Sequence, residues 1–446
     1  MLFRQFVDEG LGCGSYLVGD EHAGVAVVVD PAYAIEQYLE EAERRGVRIE
    51  RVLETHTHAD HVSGHGRFAL EAGAAVAVHP AAEPEFPFEP LEDDAVMELG
   101  DVAIRVIHTP GHRPEHCAFA ISDRSRAEEP WLLLSGDSLL VGDAARPDLA
   151  VEADEGARGL FHSLRRLGEL GDGVELYPGH VAGSLCGAAM SSKTSSTVGF
   201  ERRFNAALEL ADEDAFVMAT AGTSQPRPPN MARIVELNRG PFLPAPPKLL
   251  PVERSDDLTV VDVRPAAAFA AGHVHGAFNI PVVGSSFATR AGFLLSSEER
   301  IALHGSSPEE VERAARGLRS VGFVELAGYL EDPETPDQLE PVAIEELEGL
   351  LASDAVELLD VREANERDDG YISGSRHVLY RLVRAWEDEL GNGKPIVTIC
   401  ETGSRAAIAA SVLAAAGVDA RPVIHGGLRE WRARGNQTVQ FRRCGT

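Results

Sequence analysis

Three histidines and an aspartate crowd one short stretch, Thr55-His56-Thr57-His58-Ala59-Asp60-His61, directly after the β-type run Val47 to Leu53. Such a cluster suits a strand-end loop, where neutral nitrogen and carboxylate oxygen donors can converge on a transition metal at about 2.0–2.2 Å. Further donors recur at matching positions: His112 in Thr109-Pro110-Gly111-His112, Asp137 in Ser135-Gly136-Asp137, and His180 in Tyr177-Pro178-Gly179-His180. Each follows an apolar run or a Gly-led turn, so each can point into one cleft. A lone histidine in a polar loop carries no such meaning, but four separated clusters in this order do. His22, His65, His79, His108 and His116 lack that support and read as structural residues or neighbours of the ligands.

Proline divides the rest of the chain. The stretch from Gly222 to Pro251 holds Pro226, Pro228, Pro229, Pro241, Pro244, Pro246, Pro247 and Pro251, which predicts an extended connector. An acidic stretch at 331–341 carries Pro333, Pro336 and Pro341. Three segments follow: 1–235, 250–332 and 340–436. The first mixes β runs (Val25–Val29, Ala75–Val78, Val102–Ile107, Trp131–Leu134) with helical stretches such as Ala34–Arg45, stopped by Gly46, and Ala157–Leu167. The other two resemble each other. Val260-Val261-Asp262-Val263-Arg264 matches Leu358-Leu359-Asp360-Val361-Arg362, and a Gly-containing turn follows each. Each pairs a buried strand with a later strand–loop–helix, the pattern of a small parallel α/β sheet.

Charge and cysteine usage exclude several function classes. Lys+Arg total 41 against Asp+Glu 71, a net −30, which opposes binding to nucleic acid or anionic membranes. Cysteines at 13, 117, 186, 400 and 444 are odd in number and scattered, so no disulfide framework is expected. With no apolar leader core and no apolar run near the roughly 20 residues that span a bilayer, a soluble cytoplasmic protein is expected.

The order His-x-His-x-Asp-His, Pro-Gly-His, Gly-Asp, Pro-Gly-His resembles the metallo-β-lactamase fold over residues 1–235. The resemblance implies an αββα sandwich with a metal cleft at its rim. In the family's two-metal hydrolases, His56, His58, His112 and a bridging Asp137 would hold one ion, and Asp60, His61 and His180, with Asp137, the other. Persulfide dioxygenases, a branch of the superfamily, instead bind one Fe(II) through positions matching His56, His112 and Asp137. That is a facial triad with open positions for O2 and a substrate sulfur. Two stretches resemble this branch: Ser135 to Asp148, with its Arg146-Pro147-Asp148 element, and Gly179 to Gly187, leading to Thr197–Arg202. Pro110-Gly111-His112-Arg113-Pro114-Glu115 departs from the commoner Pro-Gly-His-Thr-x-Gly, which sets Arg113 and Glu115 to reshape the substrate mouth. Arg113, Arg146, Lys193 and Arg202 are candidate cations for an anionic substrate. Cys186 reads equally as a packed residue or one near substrate.

Pro395-Ile396-Val397-Thr398-Ile399-Cys400 is a buried-strand pattern ending in cysteine, followed by Glu401-Thr402-Gly403-Ser404-Arg405 and an Ala-rich helix. Backbone N–H groups at a helix start, with Arg405, favour a thiolate and steady an anionic sulfur donor. Four residues separate Cys400 from Arg405, one fewer than a phosphate-wrapping loop needs. The segment 340–436, with Asp360-Val361-Arg362 and Gly426-Gly427-Leu428-Arg429-Glu430-Trp431, resembles the rhodanese sulfurtransferases. Segment 250–332 looks like a rhodanese without a cysteine, for which a structural, docking or substrate-shaping role is expected.

The fold class implied is α/β: an αββα sandwich followed by two small α/β rhodanese domains with parallel sheets. The function implied is a persulfide dioxygenase that oxidises the sulfane sulfur of a low-molecular-weight thiol persulfide to sulfite with O2. Cys400 would carry sulfur among persulfide, sulfite and thiosulfate pools in sulfide detoxification, and linking the sites raises effective concentration. The carrier thiol stays open between glutathione, coenzyme A and another small thiol, and the fold family often pairs into homo-oligomers. Two alternatives stand beside this: a dizinc, glyoxalase-II-like thioester hydrolase with rhodanese domains, and a sulfur-carrier scaffold whose metal cleft is idle.

Overall fold

In the computed structural model, which describes residues 1–181, 191–221, 227–284, 286–390 and 393–440, the valine-rich strand Val25–Val29 faces two ways. Val27 and Val29 enter a core with Leu53, Leu99, Ile104, Phe119, Ile121 and Leu134, whereas Ala26 and Val28 pack with Ile35, Tyr38 and Ala42. A strand apolar on both faces must lie between two layers.

Those layers are two six-stranded sheets. The first runs Leu2–Asp8, Cys13–Asp20, Val25–Val29, Arg48–Leu53, Ala75–Val78 and Glu89–Pro90. Its first two pairings are antiparallel and the rest parallel. The second runs Ser196–Thr197, Glu175–Pro178, Leu132–Gly136, Cys117–Asp123, Val102–His108 and Val96–Leu99, with Leu132–Gly136 and Glu175–Pro178 parallel. The helix Glu36–Arg45 covers the outer face of the first sheet through Tyr38 and Ala42 and ends at Gly46 in a left-handed cap. The helix Ala153–Gly168 covers the second through Ala157, Leu160, Leu164 and Leu167. This is an αββα sandwich.

The prolines at 226–251 do not produce a wholly extended connector. Met231–Arg239 is an α-helix, because the eleven residues between Pro229 and Pro241 contain no proline, and Ile234 and Leu237 bury one face.

The chain separates into two compact units: Met1–Pro246 with Arg319–Val324, and Pro247–Leu318 with the chain from Glu325 onward. Both repeats thus share the second unit. Each builds a four-stranded parallel sheet with the same order. Phe278–Asn279, Leu258–Asp262, Arg300–His304 and Gly328–Tyr329 form one; Arg376–His377, Glu357–Asp360, Ile396–Ile399 and Ala420–Pro422 form the other. Among the described residues no helix is long and apolar enough to cross a membrane.

Candidate functional site

Four strands end on one side of the sandwich, and their next residues carry the chemistry. Asp30 follows Val25–Val29, the His56 loop follows Arg48–Leu53, Asp137 follows Leu132–Gly136, and His180 follows Glu175–Pro178. His112 sits in the turn between Val102–His108 and Cys117–Asp123. Among the described residues the donors fall into three groups: His56, His112 and Asp137; Cys13, Asp60 and His61; and Asp30, Glu54 and His58.

The first group is prepared as a ligand set. Thr55 Oγ1 donates to Asp30 Oδ2 at 2.8 Å and therefore accepts from His56 Nδ1–H at 2.9 Å. His112 Nδ1–H donates to the Arg146 carbonyl at 3.0 Å. Both rings are thereby fixed in the tautomer that leaves Nε2 as a free lone pair, the arrangement that orients imidazole ligands in metal sites. Asp137 Oδ2 lies 3.9 Å from His56 Nε2 and 3.5 Å from His112 Nε2. That oxygen is buried and has no hydrogen-bond partner, whereas Oδ1 accepts from His180 Nδ1 at 2.7 Å. Burial and neighbouring rings hold His56 and His112 below the usual imidazole range, hence neutral. Burial opposes the charge on Asp137, but His180 and His112 outweigh it and keep the carboxylate ionised. Two neutral nitrogens and one orphaned carboxylate oxygen fit a divalent cation.

His58 turns away from that group. Its Nε2 lies 3.3 Å from Asp30 Oδ1 and 3.2 Å from Glu54 Oε2. Burial opposes its charge, but Asp30 and Glu54 prevail and raise it well above the usual imidazole range. The Thr55 N–H and hydroxyl bind both oxygens of Asp30, and Ser63 and His65 bind Glu54 Oε1, while Glu54 Oε2 accepts no hydrogen bond and faces the His58 ring. This cluster is a buried ion-pair network. Asp60 and His61 lie with Cys13, whose thiol donates to Asp60 Oδ2 at 3.2 Å and lies 3.4 Å from His180 Nε2. Burial and Asp60 push the Cys13 thiol up, so it stays protonated. His180 Nε2 is also 2.7 Å from Asp60 Oδ2, so one ring bridges Asp60 and Asp137.

The sequence gives no sign of Asp30, Glu54 and Cys13 beside these groups, whereas His116, expected as structural or a neighbour of the ligands, supports Asp137. His116 Nε2 accepts the Asp137 backbone N–H at 2.9 Å, and its Nδ1 meets the Thr109 and Ser138 hydroxyls. Burial, with His112, lowers its pKa to about 3, which suits an acceptor. Gly136, at φ +52°, brings this about, because a Cβ there would come within 2.5 Å of His116 Nε2. The Gly-Asp pair was the available signal.

The candidate cations scatter. Arg113 donates to Glu115 Oε1 at 2.6 Å, so its charge is met locally. Arg146 grips Asp148 with two hydrogen bonds of 2.6 and 2.7 Å and serves the ligand set through its carbonyl. Arg202 pairs with Asp172 at the surface, and Lys193 is exposed. Cys186 lies outside the described residues. A recess is lined by His56, His58, His79, Phe86, Glu115 and Arg239.

In the second unit, Cys400 follows Ile396–Ile399 and is 1% exposed, with Sγ accepting the Gly403 N–H at 3.1 Å. The helix Ser404–Ala415 begins directly after. Arg405 does not lend its charge to the thiol alone: both its terminal nitrogens bind the Glu366 carboxylate, one at 2.7 Å.

Residues 9–180 match the family model of the metallo-beta-lactamase superfamily, and residues 250–332 and 343–434 match the rhodanese-like domain. A solved structure of a metallo-beta-lactamase from Staphylococcus aureus subsp. aureus COL shares 30% identity at a TM-score of 0.68, covering 74% of this chain and 98% of its own. The mitochondrial persulfide dioxygenase ETHE1 of Bos taurus is 28% identical over 250 residues, 55% of this chain and 91% of the relative. A hydroxyacylglutathione hydrolase of Gloeobacter violaceus is 34% identical over 171 residues, 37% of this chain and 62% of the relative.

Proposed function

Because the chain belongs to the metallo-beta-lactamase superfamily and carries two rhodanese-like domains, we propose that it is a persulfide dioxygenase joined to a sulfurtransferase. In this reading residues 1–235 form the metal domain, 250–332 a rhodanese-like domain without cysteine, and 340–436 the sulfur-carrying domain. The observation that carries it is the separation of donors: His56, His112 and Asp137 share one group, while His58 is held by Asp30 and Glu54. Likeness to the bovine persulfide dioxygenase over 91% of that protein's length supports it.

His56, His112 and Asp137 would hold one Fe(II). Bound there, the iron supplies the redox chemistry between O2 and a sulfane sulfur that no side chain can provide. The chain's own residues do the rest. Thr55 with Asp30, and the Arg146 carbonyl, fix the two imidazoles; His180 and His116 fix the carboxylate. The recess beside His56 offers Phe86 for apolar contact and His79 and Arg239 for polar groups of a thiol carrier. In balance, one persulfide, O2 and water yield thiol, sulfite and two protons. Sulfite or persulfide would then exchange sulfur at Cys400, completing a route of sulfide detoxification.

The test is metal content of anaerobically purified protein together with oxygen uptake on glutathione persulfide. One iron per chain and O2 consumption, lost in Asp137→Ala and kept in Cys400→Ser, is the expected result. The Cys13, Asp60 and His61 group favours one rival, a two-zinc thioester hydrolase, for which the likeness to the hydroxyacylglutathione hydrolase of Gloeobacter violaceus also speaks. Two zincs, thioester hydrolysis and no O2 uptake would establish that rival. Neither activity in metal-loaded protein would leave a sulfur-carrier scaffold.

A further inference from the structure

The cation that follows Cys400 in sequence is already paired. Arg405 is bound by both oxygens of Glu366 within its own domain. A second guanidinium reaches the same loop from the other repeat. The helix Phe287–Leu294 of the cysteine-less domain carries Arg290, whose Nη1 donates to Ser404 Oγ at 2.7 Å, at the first residue of the helix that follows Cys400. Two further contacts hold the repeats in this arrangement. The Asn279 N–H donates to Ser411 Oγ at 2.9 Å, and Arg384 binds Glu299 at 2.7 and 3.1 Å and the Leu294 carbonyl at 2.8 Å.

Arg290 has no carboxylate partner among the described residues, and the charged or titratable groups that act on it are Tyr380, Arg405 and Cys400. Glu363 and Arg381 act in turn on Tyr380. A mostly buried guanidinium without an anion is costly, and its planar fork matches the oxygens of a carboxylate, sulfite or thiosulfate. Helix termini and backbone N–H groups of the Cys400 loop add favourable potential on the facing side.

We propose that the cysteine-less domain supplies Arg290 as the anion-binding residue of the Cys400 site, holding a sulfur oxyanion such as thiosulfate between the two rhodanese-like domains. The proposal rests on reading Cys400 as the sulfur carrier. In the step it serves, the Cys400 thiolate attacks the outer sulfur of thiosulfate. A new S–S bond forms, the S–SO₃ bond breaks, and sulfite leaves with its electron pair, so that charge is conserved with no outside oxidant or reductant. Arg290 meets the sulfonate oxygens in substrate and leaving group alike. The domain that lost its cysteine thus completes the site of its neighbour.

Alkylation of Cys400 in the full chain separates charge recognition from structure. Iodoacetate is anionic and iodoacetamide neutral; both rates are read at the Cys400 peptide by mass spectrometry. Arg290→Gln is expected to lower the iodoacetate-to-iodoacetamide rate ratio roughly tenfold, and to raise KM for thiosulfate by a similar factor with the loss falling on KM rather than kcat. Arg290→Lys recovers most of the ratio. If both reagents slow or quicken together, Arg290 is only a packing residue and the proposal fails; an unchanged ratio sinks it equally. Should Arg290→Gln not fold, Arg290→Met, which keeps the aliphatic stem, gives the same readout. If the ratio falls as expected but wild-type protein transfers no sulfur from thiosulfate, the sulfur-carrier reading fails while the anion site stands.

Discussion

The two rhodanese-like domains hold their first strand to the following turn in the same way. Arg264 grips Asp262 through Nε and Nη2 and reaches the Gly272 carbonyl at 2.8 Å; Arg362 does the same with Asp360 and the Gly370 carbonyl, also at 2.8 Å. They part at the next loop. His304 and Ile399 occupy equivalent register positions opposite Asp262 and Asp360, so Gly305 stands where Cys400 stands. A Cβ on Gly305 would meet Val311 at 3.0 Å and Val263 at 3.3 Å, so the loop has closed over the space a thiol would need. The helices that follow differ as well. Pro308–Ser320 buries Val311, Ala314, Ala315 and Leu318 and turns Glu309, Glu312, Arg313 and Arg316 outward. Ser404–Ala415 is buried continuously from Ala406 to Leu413, because the neighbouring domain covers the face that would otherwise meet solvent. One scaffold keeps its clamp in both copies and its cysteine in one.

The largest effect should come from breaking the clamps. Asp360→Ala leaves Arg362, 1% exposed, with only the longer 3.5 Å contact to Glu401 and also deprives Arg367, so a loss of about 3 kcal/mol is expected in urea unfolding. Asp262→Ala strands a more exposed guanidinium, with side-chain exposure of 15%, and should cost about 2 kcal/mol. Equal costs would mean that the two clamps do the same work despite their different burial. The helices come next. Ala409→Leu overpacks a fully buried position and should destabilise by about 1–3 kcal/mol, whereas Arg316→Leu on the open helix should stay within about 0.5 kcal/mol. Similar losses at both positions would contradict the difference in cover. Gly305→Cys in a Cys400→Ser background should restore no sulfurtransfer and cost about 1 kcal/mol from the crowding at Val311 and Val263. Recovered transfer from thiosulfate would show that the loop, not the missing thiol, had been misjudged.

Much of this was legible in the chain itself. Residue types after apolar runs and Gly-led turns point to the grouping of His56, His112 and Asp137, because each donor follows its own strand or turn directly in sequence. The repeat Asp-x-Arg announced both clamps for the same local reason: partner and clamp lie two residues apart. What stayed hidden depends on contacts across long stretches of chain. The turning of His58 toward Asp30, the bridge of His180 between Asp60 and Asp137, and the support of Asp137 by His116 all need the two sheets stacked first. The helix Met231–Arg239 is hidden in sequence because prolines on both sides give the whole stretch the composition of extended chain. The pairing of Arg405 is hidden too, because Glu366, 39 residues earlier, gives no sign in sequence that it will meet it.

That carboxylate has no counterpart in the first repeat. Counting from the clamp arginines, Glu366 corresponds to Ala268, so only the cysteine-bearing domain has this acid-sensitive pair. Burial raises the Glu366 pKa, but hydrogen bonds and charge from Arg405 outweigh it and leave it below the ordinary glutamate value of 4.5. A folded-state pKa below the unfolded one means stability that is present above the unfolded value and lost as pH falls through the folded one. Wild-type protein should therefore lose this contribution below about pH 4.5, and Glu366→Gln should show a shallower acid limb in the same window. Because the pair is partly open to solvent, with side-chain exposures of 20% and 31%, the difference should be no more than about 1 kcal/mol. Arg405, released from Glu366 in that variant, would also become available to an anion, so KM for thiosulfate should fall while the Arg290 dependence weakens. An acid limb unchanged by Glu366→Gln, with KM unchanged, would mean that Arg405 was never withheld from the thiol and that the two arginines share the site in the wild-type protein.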